Sequence, residues 1–121
     1  MKFYKCNKCG NIVVYVQENE NNALCSEEMV ELVPKTADFA TEKHVPMVKV
    51  EGNLVTVTVG STLHPMTEEH LIQWIALETE QGHQIKHLKP SQEPVVTFAL
   101  TPGDKVVAAY EYCNLHGLWK A

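Results

Sequence analysis

The stretch Met47-Val48-Lys49-Val50-Glu51-Gly52-Asn53-Leu54-Val55-Thr56-Val57-Thr58-Val59 reads as two strands folded about a tight turn. Val55, Val57 and Val59 alternate with Thr56 and Thr58, the period of a strand with one buried face. β-Branched residues dominate the run and suit a pleated surface. Glu51-Gly52-Asn53 supplies the hairpin signal, because glycine reaches the positive φ that such turns need.

Outward from this hairpin the pattern stays β. Residues 84–88, 94–100 and 105–112 read as further strands. The last two are separated by Thr101-Pro102-Gly103-Asp104, which is strong turn chemistry. Residues 70–80 fit two periods, since Leu71, Trp74, Ile75 and Glu78 would also suit a helix. Strand neighbours favour a strand there. Several short strands with regular turns predict an all-β, immunoglobulin-like β-sandwich over residues 37–121.

Residues 1–36 are expected to form a separate small unit. Tyr4-Lys5-Cys6-Asn7-Lys8-Cys9-Gly10-Asn11 is a CxxCG knuckle, followed by the strand-like Ile12-Val13-Val14-Tyr15-Val16, a polar turn at 18–22, and Cys25. A unit of this size has too little core to hold itself, so a metal staple is a natural expectation. Residues 35–43 read as a linker.

Composition narrows the function. The 121-residue chain carries a formal net charge of -5, which argues against general nucleic-acid binding. No apolar run approaches the ~20 residues that span a bilayer. MKFYKC at the start has no apolar signal core, so a cytoplasmic location is expected. The four cysteines, Cys6, Cys9, Cys25 and Cys113, then point to metal or redox chemistry rather than to a disulfide framework.

The β region holds donors in four places: Glu42-Lys43-His44-Val45-Pro46, His64-Pro65-Met66-Thr67-Glu68-Glu69-His70, the pair His83 and His87, and Cys113-Asn114-Leu115-His116-Gly117. Taken singly, each histidine reads as a surface residue, and Cys113 as a small buried hydrophobe. Together His44, His64, His70, His116 and Cys113 would form a set of four nitrogens and one sulfur. Five such donors overshoot zinc, which takes three or four protein ligands. Calcium and magnesium want oxygen. Imidazole with thiolate suits iron or copper.

The motifs YKCNKCGN, EKHVP, HPMTEEHLIQW, LKP and EYCNLHGLW, in this order, resemble the desulfoferrodoxin and superoxide reductase family over essentially the whole chain. The resemblance implies iron held by His44, His64, His70 and His116 in a square base, with Cys113 as the axial thiolate. It implies one-electron reduction of superoxide to hydrogen peroxide, an external donor of rubredoxin type, and a homodimer. Lys43 matches a family lysine that attracts the anion and helps organise proton delivery, and Glu42 matches a glutamate that can fill the sixth position of oxidised iron. His83 and His87 match no ligand motif and are expected at the surface.

One departure stands out. Family members with a second iron use four thiolates in the first unit. Here Cys6, Cys9 and Cys25 are present, but Ser26 stands where the fourth ligand would be. Three outcomes stay open: iron or zinc held by three thiolates and an oxygen donor, an empty site, or a disulfide between two cysteines. A non-catalytic iron-binding electron carrier or redox sensor is the rival function.

Overall fold

A computed structural model of the chain describes residues 1–19, 27–37 and 41–121, the side chains of Thr41 and Glu42 excepted. Cys25 and Ser26 lie outside the described residues. The chain divides into two compact units, Met1–Val33 and Pro34–Ala121. Lys35 pairs with Trp119 through an isolated parallel bridge, which ties residues just past the division to the second unit.

The first unit is a three-stranded antiparallel sheet of β1 (Phe3–Cys6), β2 (Ile12–Val14) and β3 (Met29–Leu32), in the order β2-β1-β3. Tyr4 and Tyr15 stack with ring centroids 4.4 Å apart. The knuckle forms as its spacing requires. Gly10 takes φ +79°, and its N–H donates to the Cys6 carbonyl at 2.8 Å. The Cys9 N–H points at the Cys6 sulfur, 3.4 Å away. The Cys9 N–H first, then the Cys9 thiol and the Lys8 N–H, hold the Cys6 thiol below its usual pKa by favouring the thiolate.

The second unit is a sandwich of two antiparallel sheets. One holds β4 (Pro46–Glu51), β5 (Leu54–Val59) and β8 (Val95–Ala99), in the order β4-β5-β8. The other holds β6 (Ile72–Thr79), β7 (Gly82–His87), β9 (Val106–Cys113) and β10 (Gly117–Lys120), in the order β10-β9-β6-β7. A single helical turn, α1 (Thr41–His44), precedes β4 and begins in the expected linker. The all-β, immunoglobulin-like expectation holds.

The β4–β5 hairpin closes on Gly52 and Asn53, with Glu51 opposite Leu54 and Gly52 at φ +60°. At 101–104 the Asp104 N–H donates to the Thr101 carbonyl at 3.1 Å, with Gly103 at φ +89°. Proline followed by a positive-φ glycine is the chemistry of a type II turn.

The core follows from the alternation. Val55, Val57 and Val59 of β5 and Phe98 of β8 meet Ile72, Ile75 and Leu77 of β6 and Ala109 and Cys113 of β9, all fully buried. The ambiguous period of 70–80 has a physical cause. A register shift between Ile72 and Trp74 adds one residue to β6, so Ile72 and Ile75 face the same core although they are three apart. That spacing imitates a helix. β1, β3, β10 and α1 were not read from the sequence. β10 is only four residues long and shares the EYCNLHGLW block with two metal-type donors.

Candidate metal centre

Each expected ligand is placed by local chemistry. His44 ends α1, and Pro46 forces Val45 out of the helical region. The freed Val45 carbonyl accepts the Gly60 N–H at 3.2 Å, which fastens the open end of the β4–β5 ladder beyond Pro46 and Val59. His64 sits in the loop after β5. Its Nδ1 lies 2.7 Å from the Pro65 carbonyl, so Nδ1 carries the proton and Nε2 keeps its lone pair. His70 closes a turn in which the Thr67 N–H donates to the His70 carbonyl at 2.9 Å and the His70 N–H donates to Thr67 Oγ1 at 3.1 Å.

Cys113 ends β9, and His116 stands in the turn to β10. Gly117 relieves that turn at φ +82°. Asn114 locks the turn to the His70 loop. The Leu71 N–H donates to its Oδ1 at 3.0 Å, and its Nδ2 donates to the Glu69 carbonyl at 2.9 Å.

The five donor atoms of His44, His64, His70, Cys113 and His116 all lie within 4.8 Å of one another. His44 Nε2 is 3.1 Å from His116 Nδ1, and the Cys113 sulfur is 3.5 Å from His64 Nε2 and 3.7 Å from His116 Nδ1. His70 Nε2 is buried without a hydrogen-bond partner. Lone pairs crowded in this way repel unless a cation sits among them. The donor set therefore fits a metal ion, and four imidazoles with one thiolate suit iron.

The electrostatics keep two of the histidines in ligating form. Burial pushes the His64 pKa down to about 4, and the neighbouring histidines add to the effect. Burial also lowers His70, followed by the charges of His116 and Lys43. Both imidazoles stay neutral at physiological pH, as metal binding requires. Burial raises the Cys113 thiol, while backbone N–H groups of Leu115 and His116 oppose this by favouring the thiolate.

His44, His64 and Cys113 are buried, whereas His116 is exposed. Solvent thus reaches one edge of the cluster. Lys43 is exposed beside His44, and the Glu42 side chain lies outside the described residues. His83 and His87 are exposed on β7, as expected.

Three buried or bridging residues escaped the sequence reading. Trp119 is buried and stacks on the His44 ring, with centroids 4.6 Å apart and planes at 15°. Glu111 is fully buried with neither carboxylate oxygen hydrogen-bonded, and burial raises its pKa to about 9. It is a neutral carboxylic acid at physiological pH. Asn114 looked like a spacer between Cys113 and His116. Only a strand register could have revealed Glu111 and Trp119, which are opposite each other on β9 and β10.

Fold and site together define a mononuclear non-haem metal protein built on an immunoglobulin-like sandwich. The profile of the desulfoferrodoxin family matches residues 36–121. The desulfoferrodoxin of Nitratidesulfovibrio vulgaris is 46% identical over 121 residues, covering 99% of this chain and 94% of its own. A superoxide reductase of Thermococcus kodakarensis is 39% identical over 103 residues, covering 71% of this chain and 90% of its own. The crystal structure of the superoxide reductase from Treponema pallidum has a TM-score of 0.82 at 39% identity, covering 99% of this chain and 96% of that one. The chain belongs to the desulfoferrodoxin family.

Proposed function

We propose that this protein is a superoxide reductase. The observation that carries the reading is the convergence of four imidazoles and one thiolate within 4.8 Å, with His116 exposed at the edge. The reaction adds one electron and two protons to superoxide, giving hydrogen peroxide. His44, His64, His70, His116 and Cys113 would hold an iron ion, which would supply the electron and be re-reduced by an external donor.

The chain's own groups do the rest. Cys113 would hold the iron through its thiolate, a soft and strongly electron-donating ligand, while backbone N–H groups of Leu115 and His116 stabilise the charge on that sulfur. Burial of His44, His64 and Cys113 excludes water from one side of the centre. Lys43 sits close enough to His70 to lower its pKa, so its positive charge acts at the site despite the net charge of -5. It draws in the anion and helps organise proton delivery. By the family motif Glu42 would supply a carboxylate to the oxidised iron, a harder ion suited to oxygen.

The test is anaerobic addition of superoxide to the Fe(II) protein. One iron should be oxidised per superoxide, with peroxide formed and no dioxygen. A carrier or sensor would leave superoxide untouched. Lys43→Ala should slow the second-order reaction by about tenfold, with iron still bound. An unchanged rate constant would remove Lys43 from the mechanism.

The remaining assignments follow from this reading. A rubredoxin-like protein is the electron donor, as the family resemblance implies. Thiolate ligation suits a reducing compartment, hence the cytoplasm. Among the described residues, no helix is long and apolar enough to cross a membrane. A homodimer is supported by β4, an edge strand that exposes Met47, Val48 and Val50, with Leu54 beside it on β5. The first unit is desulforedoxin-like. The Cys6 and Cys9 knuckle, with Cys25 assigned from the sequence alone, would hold a second iron or zinc if an oxygen donor replaced the fourth thiolate.

A further inference from the structure

We propose that Lys35 is a positioning residue for the metal centre, clamping the ligand-bearing turn and fixing a second positive charge beside it for the anionic substrate. The charge half of this inference rests on the superoxide reductase reading; the clamp half does not.

Lys35 belongs to no strand, yet both of its backbone groups are hydrogen-bonded to β10. Its N–H donates to the Leu118 carbonyl at 2.9 Å, and its carbonyl accepts the Lys120 N–H at 2.9 Å. The stem of the side chain therefore starts from a fixed point. Its ammonium then makes two contacts. Nζ donates to the His116 carbonyl at 2.9 Å and stands 5.2 Å from the centroid of the Trp119 ring.

Those partners both lead to ligands. His116 is itself a donor of the cluster, and Trp119 stacks on His44. One cation thus braces the backbone of one ligand and the indole that supports another. The brace falls where it is needed. His116 is the exposed member of the five and rides on a turn between β9 and β10. Asn114 ties that turn to the His70 side, and Lys35 ties its other side to the start of the unit. A charge-assisted hydrogen bond is stronger than a neutral one, and ligands held before the ion arrives bind it more tightly. Because Lys35 is exposed, its long-range effect is screened by salt.

The experiment compares wild type, Lys35→Met and Lys35→Arg in two assays. The first loads the site with cobalt(II) and follows its visible spectrum while a chelator removes the metal. Lys35→Met should release cobalt about threefold to tenfold faster, the worth of one net hydrogen bond. Lys35→Arg should restore the slow release. The second measures the superoxide rate constant of the iron protein. Lys35→Met should lower it about twofold to threefold at low salt, with the gap closing as ionic strength rises. Unchanged cobalt release overturns the clamp, and an unchanged low-salt rate overturns the charge. A wild-type iron protein that ignores superoxide would refute the functional reading and the charge with it, while cobalt release judges the clamp independently.

Discussion

Cys113→Ser abolishes superoxide reduction, and the thiolate-to-iron absorption band disappears with it. Cys113 is fully buried, and its sulfur lies 3.5 Å from His64 Nε2 and 3.7 Å from His116 Nδ1. A serine hydroxyl in the same place resists deprotonation and is a harder, weaker donor than a thiolate. The four imidazoles remain, so iron still binds, and the loss is one of electron donation rather than of the metal. Turnover falls to background. The measurement is the visible spectrum of the oxidised protein beside its superoxide rate, with iron content checked on the same sample. A band that persists in Cys113→Ser would show that the thiolate belongs elsewhere.

The second large effect is on folding. Phe98→Ala should destabilise the protein by about 3–5 kcal/mol, the usual cost of removing a buried phenyl ring. Phe98 has no exposed surface and pairs with Val55 across β8 and β5, in the layer that meets Ile72, Ile75 and Leu77. A rigid sandwich cannot collapse into the space a phenyl leaves, so lost transfer energy and a residual cavity add together. Urea unfolding of the full chain measures this, and Phe98→Leu, which leaves a smaller void, should cost less. A Phe98→Ala midpoint equal to wild type would mean that the described core is not the one that holds the fold. The site depends on this layer. Cys113 is itself one of the core residues, so a loosened core loosens the sulfur of the donor cluster.

Much of this was legible in the residues. The Val–Thr alternation of 54–59 and the Gly52-Asn53 turn specify a hairpin with one buried face, and that hairpin is present. The five donors could be named from their motifs, and they do converge. Residues 70–80 were harder, because the bulge in β6 puts Ile72 and Ile75 on one face and mimics a helical repeat. β10 was missed because its four residues carry no alternation long enough to register.

The chain's residue order determined which side chains are able to ligate and which segments prefer to be strands, since those are properties of side-chain chemistry and local backbone preference. Only the tertiary structure decided that His44 and His116, 72 positions apart, bring their ring nitrogens to 3.1 Å. It alone revealed that Glu111 is buried and neutral, and that Trp119, Asn114 and Lys35 brace the ligands. The physical reason is register: strand pairing sets which distant residues become neighbours, and burial then sets their charge.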